Sequence, residues 1–239
     1  MKCPHCNQEH PEKFNFCPIT GKNLKWPCPN PDCSVFGEYL FPLEQESCPI
    51  CGTRFIKKND GHEFVDLGLS VKWATCNVGA SSPKEYGSYF AWGETCPKSN
   101  YSSRSLKYGG DITNSIDEKM CLVLSNDAAS ANWGSSWRMP TYEEQDELRH
   151  MCIWTWESEV GHNGYKITSK RNGNSIFLPA TGFKDGINLC MEDYSGSYWS
   201  SSLRARDCEN AFFLHFDPHG ISRNNTSRSA GKCVRPVCP

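Results

Sequence analysis

The 239-residue chain has no apolar run near the roughly 18 residues that a membrane-crossing helix requires, so no transmembrane helix is expected. Neither sign of charge is in excess: 25 Lys and Arg against 27 Asp and Glu leave a net charge of −2. That balance argues against gripping a nucleic acid through bulk charge. The opening residues, Met1-Lys2-Cys3-Pro4-His5-Cys6, lack the apolar stretch of a secretory leader. The expected location is therefore the cytoplasm or a phage particle, with no membrane partner. A Gly-x-Ser-x-Gly nucleophile motif and a phosphate-binding loop are both missing, which removes two common routes to an enzyme. Hydrophobic residues make up only 38% of the chain, and eight Trp must help to build the core. Such a composition favours short strands and ordered loops over long helices.

Cysteine, by contrast, is abundant. Seven of the fifteen fall within residues 1–51. Cys28 and Cys33 are followed after fourteen residues by Cys48-Pro-Ile-Cys51. Each pair can close a knuckle, and four thiolates then meet Zn²⁺ tetrahedrally at about 2.3 Å. Upstream, Cys3-Pro-His-Cys6 is a good knuckle, but the second half, Phe16-Cys17-Pro18-Ile19-Thr20-Gly21, carries Thr where a fourth Cys is needed. Threonine is a poor zinc ligand. His10 is the best substitute, giving a site of Cys3, Cys6, His10 and Cys17. Two structural Zn²⁺ ions are thus expected. Both segments resemble short bacterial zinc ribbons, one over residues 1–24 and one over 25–57. Residues 1–58 hold seven Lys/Arg against six Asp/Glu, so partner docking or tethering is favoured over a nucleic-acid role. The other eight cysteines, from Cys76 to Cys238, show no knuckle spacing and read as reduced thiols.

Residues 58–61 are polar and small, and read as a linker before a second domain at 62–239. Glu63–Leu69 and Ser70–Thr75 look like short strands with a turn at Gly68. Thr141 is a good N-cap for a helix reaching about Met151, with Glu143 and Glu144 in its first turn. Asp127–Trp133 reads as a polar lead-in. Strands are expected at Tyr165–Thr168, Ser175–Leu178, Ser197–Ser201, Ala211–Asp217 and Cys233–Val237.

The run from Val65-Asp66-Leu67-Gly68-Leu69-Ser70 through Trp73-Ala74-Thr75-Cys76-Asn77-Val78-Gly79-Ala80 closely resembles a signature of FISUMP domains, which abound in Bacteroidetes. Tyr89-Phe90-Ala91-Trp92-Gly93-Glu94, Trp137-Arg138-Met139-Pro140-Thr141, Ile176–Ala180, Tyr198-Trp199-Ser200-Ser201 and Val234-Arg235-Pro236-Val237 continue the likeness in order, over about residues 62–238. The resemblance implies an α+β, C-type-lectin-like fold akin to that of formylglycine-generating enzymes. It also implies kinship with the variable proteins of diversity-generating retroelements. On that basis Trp73, Trp92, Trp137 and Trp199 are core, and Arg138 and Arg235 tie loops to backbone carbonyls. The relatives place variable residues in the stretch before the last strand. By likeness, Arg204, Arg206, Asp207, Glu209, Phe213, His215, Asp217, His219, Ser222, Arg223 and Asn224 are candidate contacts to a protein ligand. Strand alternation sets Phe212, Leu214 and Phe216 on one face and Phe213, His215 and Asp217 on the other.

Other uses of such a fold are less well supported. The tripeptides through which lectins of this kind hold Ca²⁺, Glu-Pro-Asn, Gln-Pro-Asp and Trp-Asn-Asp, do not occur, which leaves only calcium-independent sugar binding. The cysteine motif of formylglycine-generating enzymes is missing. So is the carboxylate that should follow His215-x₃-His219 in an iron site. A binding protein is expected, not an enzyme.

Overall fold

The computed structural model describes residues 25–27, 34, 40–42, 49–50, 57–107, 114–159, 161–204 and 207–239. The chain divides into two compact units, Met1–Lys57 and Lys58–Pro239. All eight expected zinc ligands (Cys3, Cys6, His10, Cys17, Cys28, Cys33, Cys48 and Cys51) lie outside the described residues. In the first unit β1 (Lys25–Pro27) pairs antiparallel with β2 (Leu40–Pro42), Trp26 opposite Phe41.

The expected α+β, lectin-like class with ribbons at its front is corrected by the structure. Of the described residues 41% are strand and 12% helix, and among them no group of acid, His and Cys side chains could hold a metal. The only α-helices described are α1 (Ala128–Trp133) and α2 (Tyr142–Met151). Each begins at a strong local cap. In α2 the Thr141 hydroxyl accepts from the Glu144 N–H (3.3 Å), and the Glu144 carboxylate accepts from the Thr141 N–H (2.8 Å). Asp127, read as part of a lead-in, caps α1 through Oδ1, accepting from Ala129 N (2.8 Å) and Ser130 N (3.0 Å).

The second unit is a set of antiparallel sheets. One is ordered β14-β5-β4-β3, from β3 (Lys57–Asn59), β4 (His62–Val65), β5 (Lys72–Ala74) and β14 (Val237–Cys238). Residues expected to form the linker thus supply a strand, and Asp60-Gly61 make the turn into β4. A second sheet joins β6 (Cys152–Glu159), β7 (His162–Ser169) and β8 (Ser175–Pro179). β9 (Phe183–Asp185) and β10 (Asn188–Cys190) form a two-stranded hairpin, and Lys184 of β9 bridges Gly231. The third sheet is β11 (Gly196–Leu203), β12 (Asn210–Asp217) and β13 (Gly220–Ser227), in that order.

Within this last sheet β11 and β12 are apolar on both sides, which leaves β13 to carry most of what is exposed. Along β11, Tyr198 enters one buried cluster with Leu214, Phe216, Tyr165 and Leu148. Its neighbour Trp199 enters another with Phe90, Trp92, Phe213 and Val234. The Phe216 ring meets Tyr165 edge-on at 5.3 Å and lies near-parallel to Tyr198 at 5.9 Å. Gly196 lies under the same ring, and a Cβ there would overlap it. Trp73, Trp92, Trp137 and Trp199 are all fully buried, in keeping with the core reading. Arg235, also fully buried, donates from Nε to Asn77 Oδ1 (2.8 Å), from Nη1 to the Ala74 and Thr75 carbonyls (3.1 and 2.6 Å), and from Nη2 to the Phe177 carbonyl (3.1 Å). It therefore ties β5 and β8 to the last segment. The eight later cysteines are free thiols, of which Cys152, Cys233 and Cys238 are buried.

Candidate functional site

The candidate surface is the β12–β13 ribbon with the segment leading into it. The two strands run in unbroken register from Asn210 opposite Ser227 to Asp217 opposite Gly220. Pro218 and His219 make the two-residue turn. Asp217 Oδ1 secures that turn by accepting from the N–H groups of His219 (2.8 Å) and Gly220 (3.2 Å).

The expected contact residues separate into those with structural work and those left open. Asp217 holds the turn. Asp207 holds the other end, where its carboxylate accepts from Asn210 Nδ2 (2.8 Å), the Glu209 N–H (3.3 Å) and Arg204 Nη1 (3.2 Å). The Asn210 side chain foremost, then Glu209 and Arg204, hold the Asp207 carboxyl below its usual range. Phe213 does not sit on an open face. It is only 7% exposed and packs edge-on against Trp199 at 5.9 Å. Alternation along β12 is as expected, but both faces are covered, so neither is a bare ligand face. Arg223 lies opposite Leu214, on the α2 side. Its guanidinium stacks 4.0 Å over Tyr142 and pairs with Asp146 at 3.0 Å. Arg206 lies outside the described residues.

Arg204, Glu209, His219, Ser222 and Asn224 remain exposed, and His215 is half-buried. The register places His215 opposite Ser222 and Phe213 opposite Asn224, so His215, Ser222 and Asn224 share one face. Eight residues of strand put the turn about 24 Å from the Arg204–Glu209 end. The open residues thus form a central polar group flanked by two ends, one of them carrying charge. Burial foremost, and the Lys232 charge with it, pull the His215 imidazole below its ordinary value despite Asp217. With one ring nitrogen bonded to the Gly196 backbone, the other is left for a ligand.

Behind this face lies a residue that sequence reading passed over. Lys232 is 3% exposed, with its ammonium 3.7 Å from the Phe213 ring centre, 5.0 Å from Phe183 and 5.3 Å from Trp199. Burial pushes it down to about 7, while the three ring faces favour the charged form. Its one sequence signal is its place beside the apolar run at Cys233-Val234. A second cluster, also unforeseen, joins Tyr86, His162 and Asp193. The Tyr86 hydroxyl donates to Asp193 Oδ1 (2.5 Å) and lies 3.1 Å from His162 Nδ1. Burial and that carboxylate push the phenol well above its ordinary value, so it is no nucleophile. Burial pushes Asp193 up, but bonds from Tyr86, Asn163 and His162 outweigh it and hold the carboxyl low. The cluster fastens the start of β7 to the turn after β10. A depression of about 190 Å³ beside β7 and β8, lined by Lys166, Ser175 and Phe177 among others, is small for an organic ligand.

Among the described residues no helix is long and apolar enough to cross a membrane. In comparisons with known proteins the chain matches no family model, no curated relative and no solved structure.

Proposed function

We propose that this chain is a ligand-binding display protein of the FISUMP kind, acting in the cytoplasm or on a phage particle, whose partner is a protein. The observation that supports this most is the β12–β13 ribbon. Its base is fixed by buried aromatic side chains on both sides, while His215, Ser222 and Asn224 project from it with only local bonds, His215 to the Gly196 backbone and Asn224 Oδ1 accepting from the Asn225 N–H (3.0 Å). A rigid base carrying small adaptable polar groups loses little entropy on binding. Arg204 and Glu209 extend the surface at one end and His219 at the other. In this reading two Zn²⁺ ions, held by Cys3, Cys6, His10 and Cys17 and by Cys28, Cys33, Cys48 and Cys51, order the N-terminal segment for tethering or docking. No catalytic residue is assigned.

The test is selection of partners from a displayed protein library and, in parallel, a glycan array with and without EDTA. A selected protein should lose at least tenfold in affinity against the His215→Ala, Ser222→Ala, Asn224→Ala triple variant. Protein partners that bind the triple variant unchanged would sink the assignment of this face. Binding confined to glycans and indifferent to EDTA would replace the protein-ligand reading with a calcium-independent adhesin. Metal analysis of the purified chain should find two zinc ions, one of them lost in His10→Ala.

A further inference from the structure

Natural sheets protect their edges with lysine, proline, bulges or short strands, because an open edge pairs with another chain. β13 has none of these devices. It is eight residues long and reads Gly-Ile-Ser-Arg-Asn-Asn-Thr-Ser. It pairs with β12 on one side without a bulge, and among the described residues no strand lies on its other side. Its single charge, Arg223, is turned onto Tyr142 and Asp146. The long edge β6 carries Glu157, whose charge would repel a second copy of itself, and the far edge β11 is bridged by Gly182, Cys233 and Cys121.

We propose that β13 is a self-association edge, on which a second copy of this chain adds its own β13 antiparallel about a two-fold axis at Asn224. The occupant is argued from the chemistry of the strand. Ser222, Asn224, Asn225, Thr226 and Ser227 are each donor and acceptor at once, so Asn224 can satisfy its own copy on the axis and Ser222 can satisfy Thr226 of the second copy beside it. Arg223 selects the register. An axis at Arg223 sets two guanidinium groups opposite each other. An axis one residue on sets Arg223 opposite Asn225 of the second copy and Ile221 opposite Ser227. The two-residue turn makes Asp217 and Gly220 a hydrogen-bonded pair, so Ile221, Arg223, Asn225 and Ser227 aim their backbone groups outward, and the Asn225 N–H exchanges its present bond to Asn224 Oδ1 (3.0 Å) for one to the second copy. That register then forms roughly eight new backbone hydrogen bonds. The result is one six-stranded sheet, with two copies of the polar face side by side. The inference does not rest on the ligand-binding reading, since the edge is used and not the face.

Two measurements on the full chain decide it. Sedimentation equilibrium should show a dimer that Asn225→Pro converts to monomer while its circular dichroism is kept. Proline at 225 removes an outward N–H and leaves the β12 ladder whole. Independently, Asn224→Cys should form a disulfide between two copies under mild oxidation, mapped by mass spectrometry to the 224–224 peptide pair, whereas Ser222→Cys should not. The non-bonded pairing at the axis brings these Cα atoms to about 4.5 Å. A wild-type monomer at 100 µM without the 224–224 bridge overturns the proposal, as does a dimer that survives Asn225→Pro without that bridge. Should Asn225→Pro fail to fold, the presence or absence of the bridge decides.

Discussion

Arg235 offers the sharpest test of how this fold is held. Its guanidinium is about 1% exposed and has no carboxylate among its described partners. Burial lowers its pKa, and its charge is met by the Asn77 amide oxygen and three backbone carbonyls that accept from it. These acceptors come from two separated stretches, 74–77 and 177. In Arg235→Lys a single ammonium replaces a planar fork and cannot reach all four acceptors from one position. At least two charge-assisted bonds are lost, each worth about 1.5–3 kcal/mol, and the orphaned carbonyls stay buried. Partial relaxation recovers some of this, so the expected loss is about 3 kcal/mol, or roughly 10 °C in Tm for a domain of this size. Arg235→Met leaves every acceptor unpaired and should cost more. Urea unfolding followed by tryptophan fluorescence gives both values. Were Arg235→Lys to fall within 1 kcal/mol of wild type, the clamp would not bear the strain assigned to it.

Three further outcomes follow from buried positions. Gly196→Ala drives a methyl group into the Phe216 ring, and a loss of about 3 kcal/mol in urea unfolding is expected; a neutral result would mean that the ring moves aside freely. Burial raises Asp127 to about 6, against three opposing backbone bonds. A raised folded-state pKa favours the native state below the unfolded value near 4, and that advantage is lost as pH climbs through 6. The stability of wild type relative to Asp127→Asn should therefore fall by about 3 kcal/mol between pH 4 and pH 7, and a flat difference would refute it. For Lys232 the sign is opposite. Its folded pKa is pushed down to about 7, so the unfolded chain holds the extra proton and wild type gains stability as pH rises from 7 toward 10. Lys232→Met should have a higher urea midpoint at pH 6, with the advantage fading by pH 10; a mutant less stable at pH 6 would show that the three rings outweigh desolvation.

Local signals were read well where one residue decides the outcome. Thr141 with Glu144 marks the start of α2, and Gly68 takes the left-handed turn (φ 66) that the strand–turn–strand pattern around it needs. The short α1 was missed because its six residues, Ala-Ala-Ser-Ala-Asn-Trp, carry no apolar period, and only the Asp127 cap betrays it. β13 was missed because its polar residues have little strand preference. It is a strand because β12 supplies a ladder and Asp217 supplies the turn.

Of the candidate contacts, the sequence determined their residue types and their alternation along each strand, since side chains in a strand must alternate. It could not determine which of them are free. Phe213 is buried because Trp199 and Lys232 cover it, Arg223 is engaged because α2 presents Asp146 and Tyr142, and Asp207 and Asp217 are spent on turns. The turns that engage Asp207 and Asp217 are local, but the outcomes at Phe213 and Arg223 depend on elements distant in sequence meeting the two faces of a sheet. Alternation is a property of the backbone alone, whereas burial is a property of what packs against it.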